Sequence, residues 1–170
     1  PFGSRGMDSI DLIAANLRRS ESIVLARVED MRGSCMVPAT PGGAHTLWLL
    51  GHLAYIEGLV IRQFMLGEPN GLAGHEALFD GDAVSQDAGD YPAFDEVLAS
   101  CREQRALTHD LLASLTETDL DRESRSAPDA ARELFGTWRD CLQSAPDHWL
   151  MHRGQLADAR RVAGLARAWY

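Results

Sequence analysis

Apolar residues in this chain recur every three or four positions over long stretches, which is the pattern of amphipathic α-helices. The first stretch follows Asp8, a residue type that caps helix N-termini, and Gly33 is expected to end it. Its apolar positions follow the helical period: Ile10, Ile13, Leu17, Val24, Val28 and Met31. No apolar–polar alternation bounded by turn residues predicts a β-strand. The sequence therefore predicts an all-α fold.

Three further helices are predicted from the same kind of pattern. The second begins at Thr40-Pro41, a cap followed by proline at the first helical position, and runs to about Leu66. The third starts at Pro92 and continues through Leu115, and the last covers about Ala130 to Leu165. Pro146 is expected to kink or restart the last helix, because proline lacks a backbone N–H.

The second and third connections between these helices are long. Gly67 to Asp90 is rich in glycine and aspartate and contains no lysine or arginine, and a charged stretch runs from Glu117 to Asp129. This arrangement predicts a four-helix bundle, in which metal sites are built from inward-facing side chains. Residues 7–170 are taken as its single domain, and residues 1–6 (PFGSRG) as a remnant of expression.

Composition excludes several function classes. With 16 basic and 25 acidic residues the formal net charge is -9, which disfavours nucleic acid or an anionic membrane as partner. No apolar run approaches the ~20 residues of a membrane span. Cys35, Cys101 and Cys141 are widely spaced and form no C-x-x-C motif, so they are expected to be small core residues in a reduced, cytoplasmic protein.

Two histidines stand four residues apart in the segment His148–Leu156, HWLMHRGQL. On a helix this spacing puts both imidazoles on one face, so both can point at one metal ion. A third ligand must come from another helix, and His52, inside the apolar run 47–60, is the best candidate. Zinc, nickel and iron(II) accept neutral imidazole, and three ligands leave a position open, as in catalytic zinc sites. The prediction is one divalent metal, zinc first, held by His52, His148 and His152.

A plainer interpretation stays open, because an inward-facing histidine is commonly a hydrogen-bonded core residue. His45 lies two helical turns before His52, and either lines the mouth of a pocket or stands in solvent near the helix start. Gln155 follows His152 by three residues and is expected to orient that side chain or to pack beneath the site. No general base is identified, since Glu57 is expected to face away from His52.

The segments Thr46–Leu53 (TLWLLGHL) and His148–Leu156 resemble the DinB-like/YfiT-like superfamily of four-helix bundles. This superfamily includes bacillithiol transferases and mycothiol-dependent maleylpyruvate isomerases. Its members are similar in having one histidine on the second helix and an H-x3-H before R-G-Q on the last, which together bind a divalent metal. The resemblance covers residues 7–165 in helix order and loop placement. It implies that the three histidines named above are the metal ligands.

A metal with an open coordination position permits hydrolysis by a bound water, activation of a thiol as thiolate, or polarisation of a carbonyl. The resemblance favours the second, with a low-molecular-weight thiol transferred to an electrophile. The alternatives are a metal-dependent hydrolase and a non-catalytic metal-binding stress-response protein. Imidazole ligands must be neutral, so activity is expected to fall as the pH drops through about 6.5.

Two expectations concern the surroundings of the site. The connection Gly67–Asp90 is predicted to border the open side of the metal site and restrict entry, since loops of this length are usually functional or disordered. A homodimer is also expected, because two-fold dimers are the commonest oligomers and Trp169 and Tyr170 place aromatic surface at the C-terminus.

Overall fold

Four long helices form a bundle in the computed structural model, which describes residues 8–80 and 83–166. The described residues contain no β-strand, so the predicted all-α bundle with long second and third connections is confirmed. Residues 1–6, Trp169 and Tyr170 lie outside the described part of the chain. The helices are α1 (Ser9–Leu25), α2 (Thr46–Gly58), α3 (Glu76–Phe79), α4 (Phe94–Ala113), α5 (Arg132–Phe135) and α6 (Trp138–Val162).

The packing of the four long helices places α2 beside α6. α1 packs against α4 and α6, and α2 packs against the same two helices. Apolar side chains fill the interior in two clusters, one containing Trp48 and Leu53 and the other Ile61 and Leu142. α2 continues as a π-helical turn, Leu59–Met65, so this helical segment ends close to the predicted Leu66. None of the helices in the described part combines the length and apolar character that a membrane crossing requires.

The first helix is shorter than predicted. Its N-cap is confirmed, because Asp8 accepts a hydrogen bond from the Asp11 backbone N–H at 2.9 Å. The α-helix ends at Leu25 rather than at Gly33, and a 3₁₀ turn follows at Glu29–Ser34. Val28 and Met31 are nevertheless fully buried. Their apolar spacing therefore reflects the burial of a turn against the core, not a continued helix.

The start predicted for the second helix is wrong. Thr40 to Gly43 form a tight turn, in which the Gly43 N–H donates to the Thr40 carbonyl at 2.9 Å and Gly42 has φ 73°. Proline followed by a glycine with positive φ is the sequence of a type II turn. α2 begins at Thr46, with His45 as its N-cap.

The last helical region is divided, but not at Pro146. A short helix, α5, precedes α6, whose N-terminus carries a capping box formed by Thr137 and Asp140. α6 then runs unbroken through Pro146, so the restart expected there is wrong. Pro146 removes one helical hydrogen bond, but it is buried, as are Ala145 and Trp149, and tertiary packing holds the helix together across it.

The cysteines behave as core thiols. Cys101 and Cys141 are fully buried, Cys35 is partly buried, and all three are free. Burial raises the pKa of the Cys141 thiol to about 11. None of these thiols is therefore an activated nucleophile at neutral pH.

Candidate metal centre

Three histidines from two neighbouring helices meet at one edge of the bundle. His52 comes from α2, and His148 and His152 come from successive turns of α6. One ring nitrogen from each lies within 4.8 Å of the others, and the Nε2 atoms of His148 and His152 are 2.9 Å apart. His152 is buried, whereas His52 and His148 are partly exposed. The structure thus brings together the three residues predicted as metal ligands.

Hydrogen bonds of His52 and His152 determine which nitrogen of each ring is free to bind a metal. The Nδ1–H of His52 donates to the Phe79 carbonyl at 2.7 Å, and the Nδ1–H of His152 donates to the Gln155 side-chain oxygen. These tautomers follow from the acceptors, because neither oxygen can donate. Both rings therefore present an Nε2 lone pair to the centre of the cluster. Metal-binding histidines commonly donate their other N–H in this way.

Electrostatics keep the cluster uncharged. Burial lowers the pKa of His148 to about 3, and the neighbouring His152, His52 and Arg105 lower it further. Burial also lowers the pKa of His52 and of His152, although the hydrogen bonds that these rings donate to Phe79 and Gln155 partly oppose this. Neutral imidazole is the protonation state that binds metal.

The geometry fits a divalent ion. Since the His152 Nε2 atom carries a lone pair, either the Nε2–H of a neutral His148 or a metal ion can lie between the two nitrogens. Two nitrogens bound to a tetrahedral zinc at ~2.1 Å are about 3.4 Å apart, so a small outward movement of His148 and His152 accommodates the ion. Among residues 8–80 and 83–166 the cluster includes no thiol or carboxylate. Three nitrogen ligands with a fourth position open are the donor set of a catalytic zinc site.

The long second connection supports this centre. The Trp48 indole stacks on the His52 imidazole with ring centroids 4.5 Å apart, and its Nε1–H donates to the Leu78 carbonyl at 3.0 Å. The Phe79 ring lies directly against Gly51, where a Cβ atom would overlap it. Leu78 and Phe79 therefore anchor both the histidine and the aromatic ring beneath it.

A family model of the DinB superfamily matches residues 16–156, which include all three histidines. The chain belongs to the DinB superfamily. No curated protein matches it significantly. Members of the superfamily bind divalent metals, in agreement with the donor set assembled here.

Sequence reasoning missed three supports of the candidate metal centre. Trp48 was recognisable, since it precedes His52 by four residues and shares its helix face. The Phe79 carbonyl carries no side-chain signal, because a backbone group exists at every position. Asp80 follows it, and its negative charge raises the pKa of His52, opposing the larger effect of burial. The negative charge of the exposed Asp80 carboxylate therefore acts on the histidine cluster through His52.

His45 has a structural role at the start of α2. It is fully buried, and it caps α2 by accepting the Trp48 backbone N–H at its Nδ1 atom, 3.2 Å away. Its Nε2–H donates to the Ser85 carbonyl at 3.0 Å, and its ring packs edge-on against Tyr91. His45 therefore ties the second connection to the start of α2, and the solvent-exposed alternative is wrong.

A buried ion pair lies deeper in the DinB bundle. Glu57 faces α4 and not His52, as expected, and its carboxylate is 2.8 Å from the Arg105 guanidinium, with both side chains buried. Thr108 donates to Glu57 at 2.6 Å, and the guanidinium lies 4.0 Å from the centre of the Trp149 ring. Burial raises the pKa of Glu57, while Arg105 opposes this. Trp149 follows His148 in α6, so the ion pair, through the Trp149 ring, supports the part of α6 that carries His148.

The predicted lid segment is structured in its described parts. The turn Ala73–His75, helix α3 and the turn Ala88–Asp90 lie within it, and Asn70 anchors it by donating to the Tyr55 carbonyl at 3.1 Å. Its Phe79 carbonyl accepts the His52 Nδ1–H, on the side of the ring opposite the free Nε2, so the segment contacts the cluster through His52. Whether it restricts entry stays a prediction, which hydrogen exchange with and without bound ligand tests.

Proposed function

We propose that this protein is a zinc-dependent transferase that joins a small thiol to an electrophile at the His52, His148 and His152 centre. The observation that carries the proposal is the cluster of three histidine nitrogens, which would leave the fourth position of a tetrahedral zinc open. The described cluster offers three neutral nitrogens, and two of its rings reach the surface, so a small molecule can approach. The three free cysteines agree with a reducing compartment, in which a thiol co-substrate persists.

The protein's own groups prepare the site for this reaction. When bound, zinc supplies a Lewis acid that lowers the pKa of a thiol, so that the thiolate exists at neutral pH. Phe79 and Gln155 hold two imidazoles in the tautomer that leaves Nε2 free. Asp80, an exposed carboxylate whose charge acts on His52, is the group we assign to accept the thiol proton.

The overall reaction balances without a further reagent. The sulfur lone pair forms the new S–C bond, and the leaving group departs from the electrophilic carbon with its bonding pair. The thiol proton passes to Asp80 and then to solvent. No oxidant or reductant is consumed.

The test is consumption of a thiol with 1-chloro-2,4-dinitrobenzene, measured above the spontaneous rate for chelated and zinc-reloaded protein. A panel of cysteine, glutathione and coenzyme A supplies the thiol. Activity is expected only with zinc, and His152→Ala should abolish it. His109→Ala is the matched control, since His109 is not part of the cluster and pairs with Glu21 at 3.1 Å. Equal rates in chelated and zinc-loaded protein contradict the proposal.

A metal-dependent hydrolase is the second candidate, and the exposed Asp80 carboxylate, whose charge acts on His52, is the observation that favours it. A carboxylate beside an open metal position can accept a proton from water as well as from a thiol. Thiol-independent hydrolysis of a nitrophenyl ester, at a rate proportional to zinc content, selects this candidate. Tight zinc binding without turnover in either assay leaves a metal-binding protein that is not an enzyme.

A further inference from the structure

A cavity lies on the side of α2 that faces away from the metal centre, between this helix, the long second connection and α4. Its volume is about 190 Å³. Gly51, Ala54, Leu72, Phe79, Pro92 and Val97 form its mainly apolar wall, and His75, Glu96 and Ser100 contribute polar groups.

This cavity is separate from the metal centre. No residue of α6 lines it, and neither does His52. Gly51 and Ala54 point roughly 100° and 160° away from His52 around α2, given 100° per helical residue. Phe79 connects the two sites, because its ring lines the cavity while its carbonyl accepts the His52 N–H.

The polar groups of the cavity match one kind of ligand. A primary ammonium has three N–H donors and no acceptor. The Glu96 carboxylate, the Ser100 hydroxyl and the His75 imidazole can each accept one of them. The Nδ1 atom of His75 is buried and has no hydrogen-bond partner among the described residues. An unpartnered buried polar atom at a cavity wall indicates a missing partner.

The walls and the local charge agree with that ligand. The ring of His75 lies nearly parallel to that of Phe79, with centroids 6.0 Å apart, so an aromatic ring can extend an existing stack. The connection beside the cavity carries acidic residues and no lysine or arginine. Its negative field attracts cations. A void of about 150 Å³ accommodates benzene, so this cavity has room for a benzyl group and a small substituent.

We propose that this cavity binds a small aromatic primary amine, with the ring among the apolar residues and the ammonium at Glu96, Ser100 and His75. The site does not depend on the proposed transferase activity. It gives the protein a second ligand whose contacts reach the metal centre through Phe79.

Benzylamine is the probe, titrated into the full chain at pH 7.5 and followed by two-dimensional amide NMR. Saturable shifts are expected at Gly51, His75 and Val97, with a dissociation constant on the order of 1 mM or tighter. Glu96→Gln should weaken binding about fivefold, the upper end of the range for an exposed ion pair. Glu103→Gln, an equally exposed change on the same helix, is the matched control and should have no effect.

Further measurements keep the test decisive. Ser100→Phe fills the cavity and should abolish binding, provided that circular dichroism shows a folded helix bundle. Benzyl alcohol should bind more weakly and be insensitive to Glu96→Gln. The proposal is overturned by an absence of saturable shifts at 10 mM benzylamine, or by equal affinity in Glu96→Gln and Glu103→Gln. Binding that needs zinc and is lost in chelated protein also overturns it, because the amine is then a metal ligand.

Discussion

Replacing Arg105 by methionine should destabilise the protein strongly, because it leaves the Glu57 carboxylate buried without its counter-charge. The Arg105 side chain is completely buried and Glu57 is 2 % exposed. Breaking a buried pair of this kind typically costs about 3–5 kcal/mol. For a chain of this length that is a drop in melting temperature of roughly 6–20 °C, a large part of a total stability of about 5–15 kcal/mol.

The assay is urea unfolding of chelated protein, so that metal binding does not contribute to the free energy of unfolding. Arg102→Met is the matched control, since Arg102 forms an exposed pair with Glu29, and it should cost below about 1 kcal/mol. The double variant Glu57→Met/Arg105→Met removes both charges and should recover most of the loss. The reasoning is refuted if Arg105→Met costs no more than the control, or if the double variant is no more stable than Arg105→Met.

The same variant should respond to pH in one direction. Without Arg105, burial outweighs the remaining Thr108 hydrogen bond and raises the pKa of the Glu57 carboxyl further above its ordinary value. Between the ordinary and the raised pKa the folded chain keeps a proton that the unfolded chain releases. Stability therefore falls as the pH rises above about 4.5. A loss that is constant across that range contradicts this account of the pair.

Three other perturbations test the surroundings of the metal centre. Gln155→Ala removes the acceptor that orients His152 and should weaken zinc binding about tenfold or more by calorimetry, whereas unchanged affinity excludes the orienting role. Gly51→Ala forces the Phe79 ring away from α2, so both the melting temperature and zinc affinity should fall, and a neutral result refutes the close packing. The pKa of His148 is lowered to about 3. The zinc affinity of the protein should therefore persist below pH 6.5, whereas the zinc affinity of free imidazole falls as the pH drops through about 6.5. For the same reason the unfolded chain binds more protons between pH 6.5 and 3, and chelated protein should lose stability as the pH falls through this window.

The histidine cluster was predictable because local helical spacing determines it. His148 and His152 share a helix face by their separation alone, and the apolar surroundings of His52 turn it inward. That the second and the last helix lie side by side could be predicted only from the resemblance to a known family of bundles. Glu57 could be excluded as a general base by its angle around α2, but its partner Arg105 could not be found, since no local pattern relates residues on different helices.

Two of the wrong predictions concern turns whose residues are also typical of helices. Thr40-Pro41 has the residues of a helix start, but a following glycine with positive φ makes it a tight turn. Val28 and Met31 keep helical spacing beyond the end of α1, because burial selects apolar residues in turns as well. Pro146 was expected to interrupt α6, and tertiary packing overrides this local preference.

Zinc titration of chelated protein by calorimetry at pH 7.5 tests the central claim most directly. The three-histidine centre predicts one equivalent of zinc, and a loss of affinity of at least about 100-fold in each of His52→Ala, His148→Ala and His152→Ala. The control His109→Ala should bind as the unmodified protein does. Undiminished binding of one equivalent by His52→Ala or His152→Ala contradicts the assignment of the metal centre.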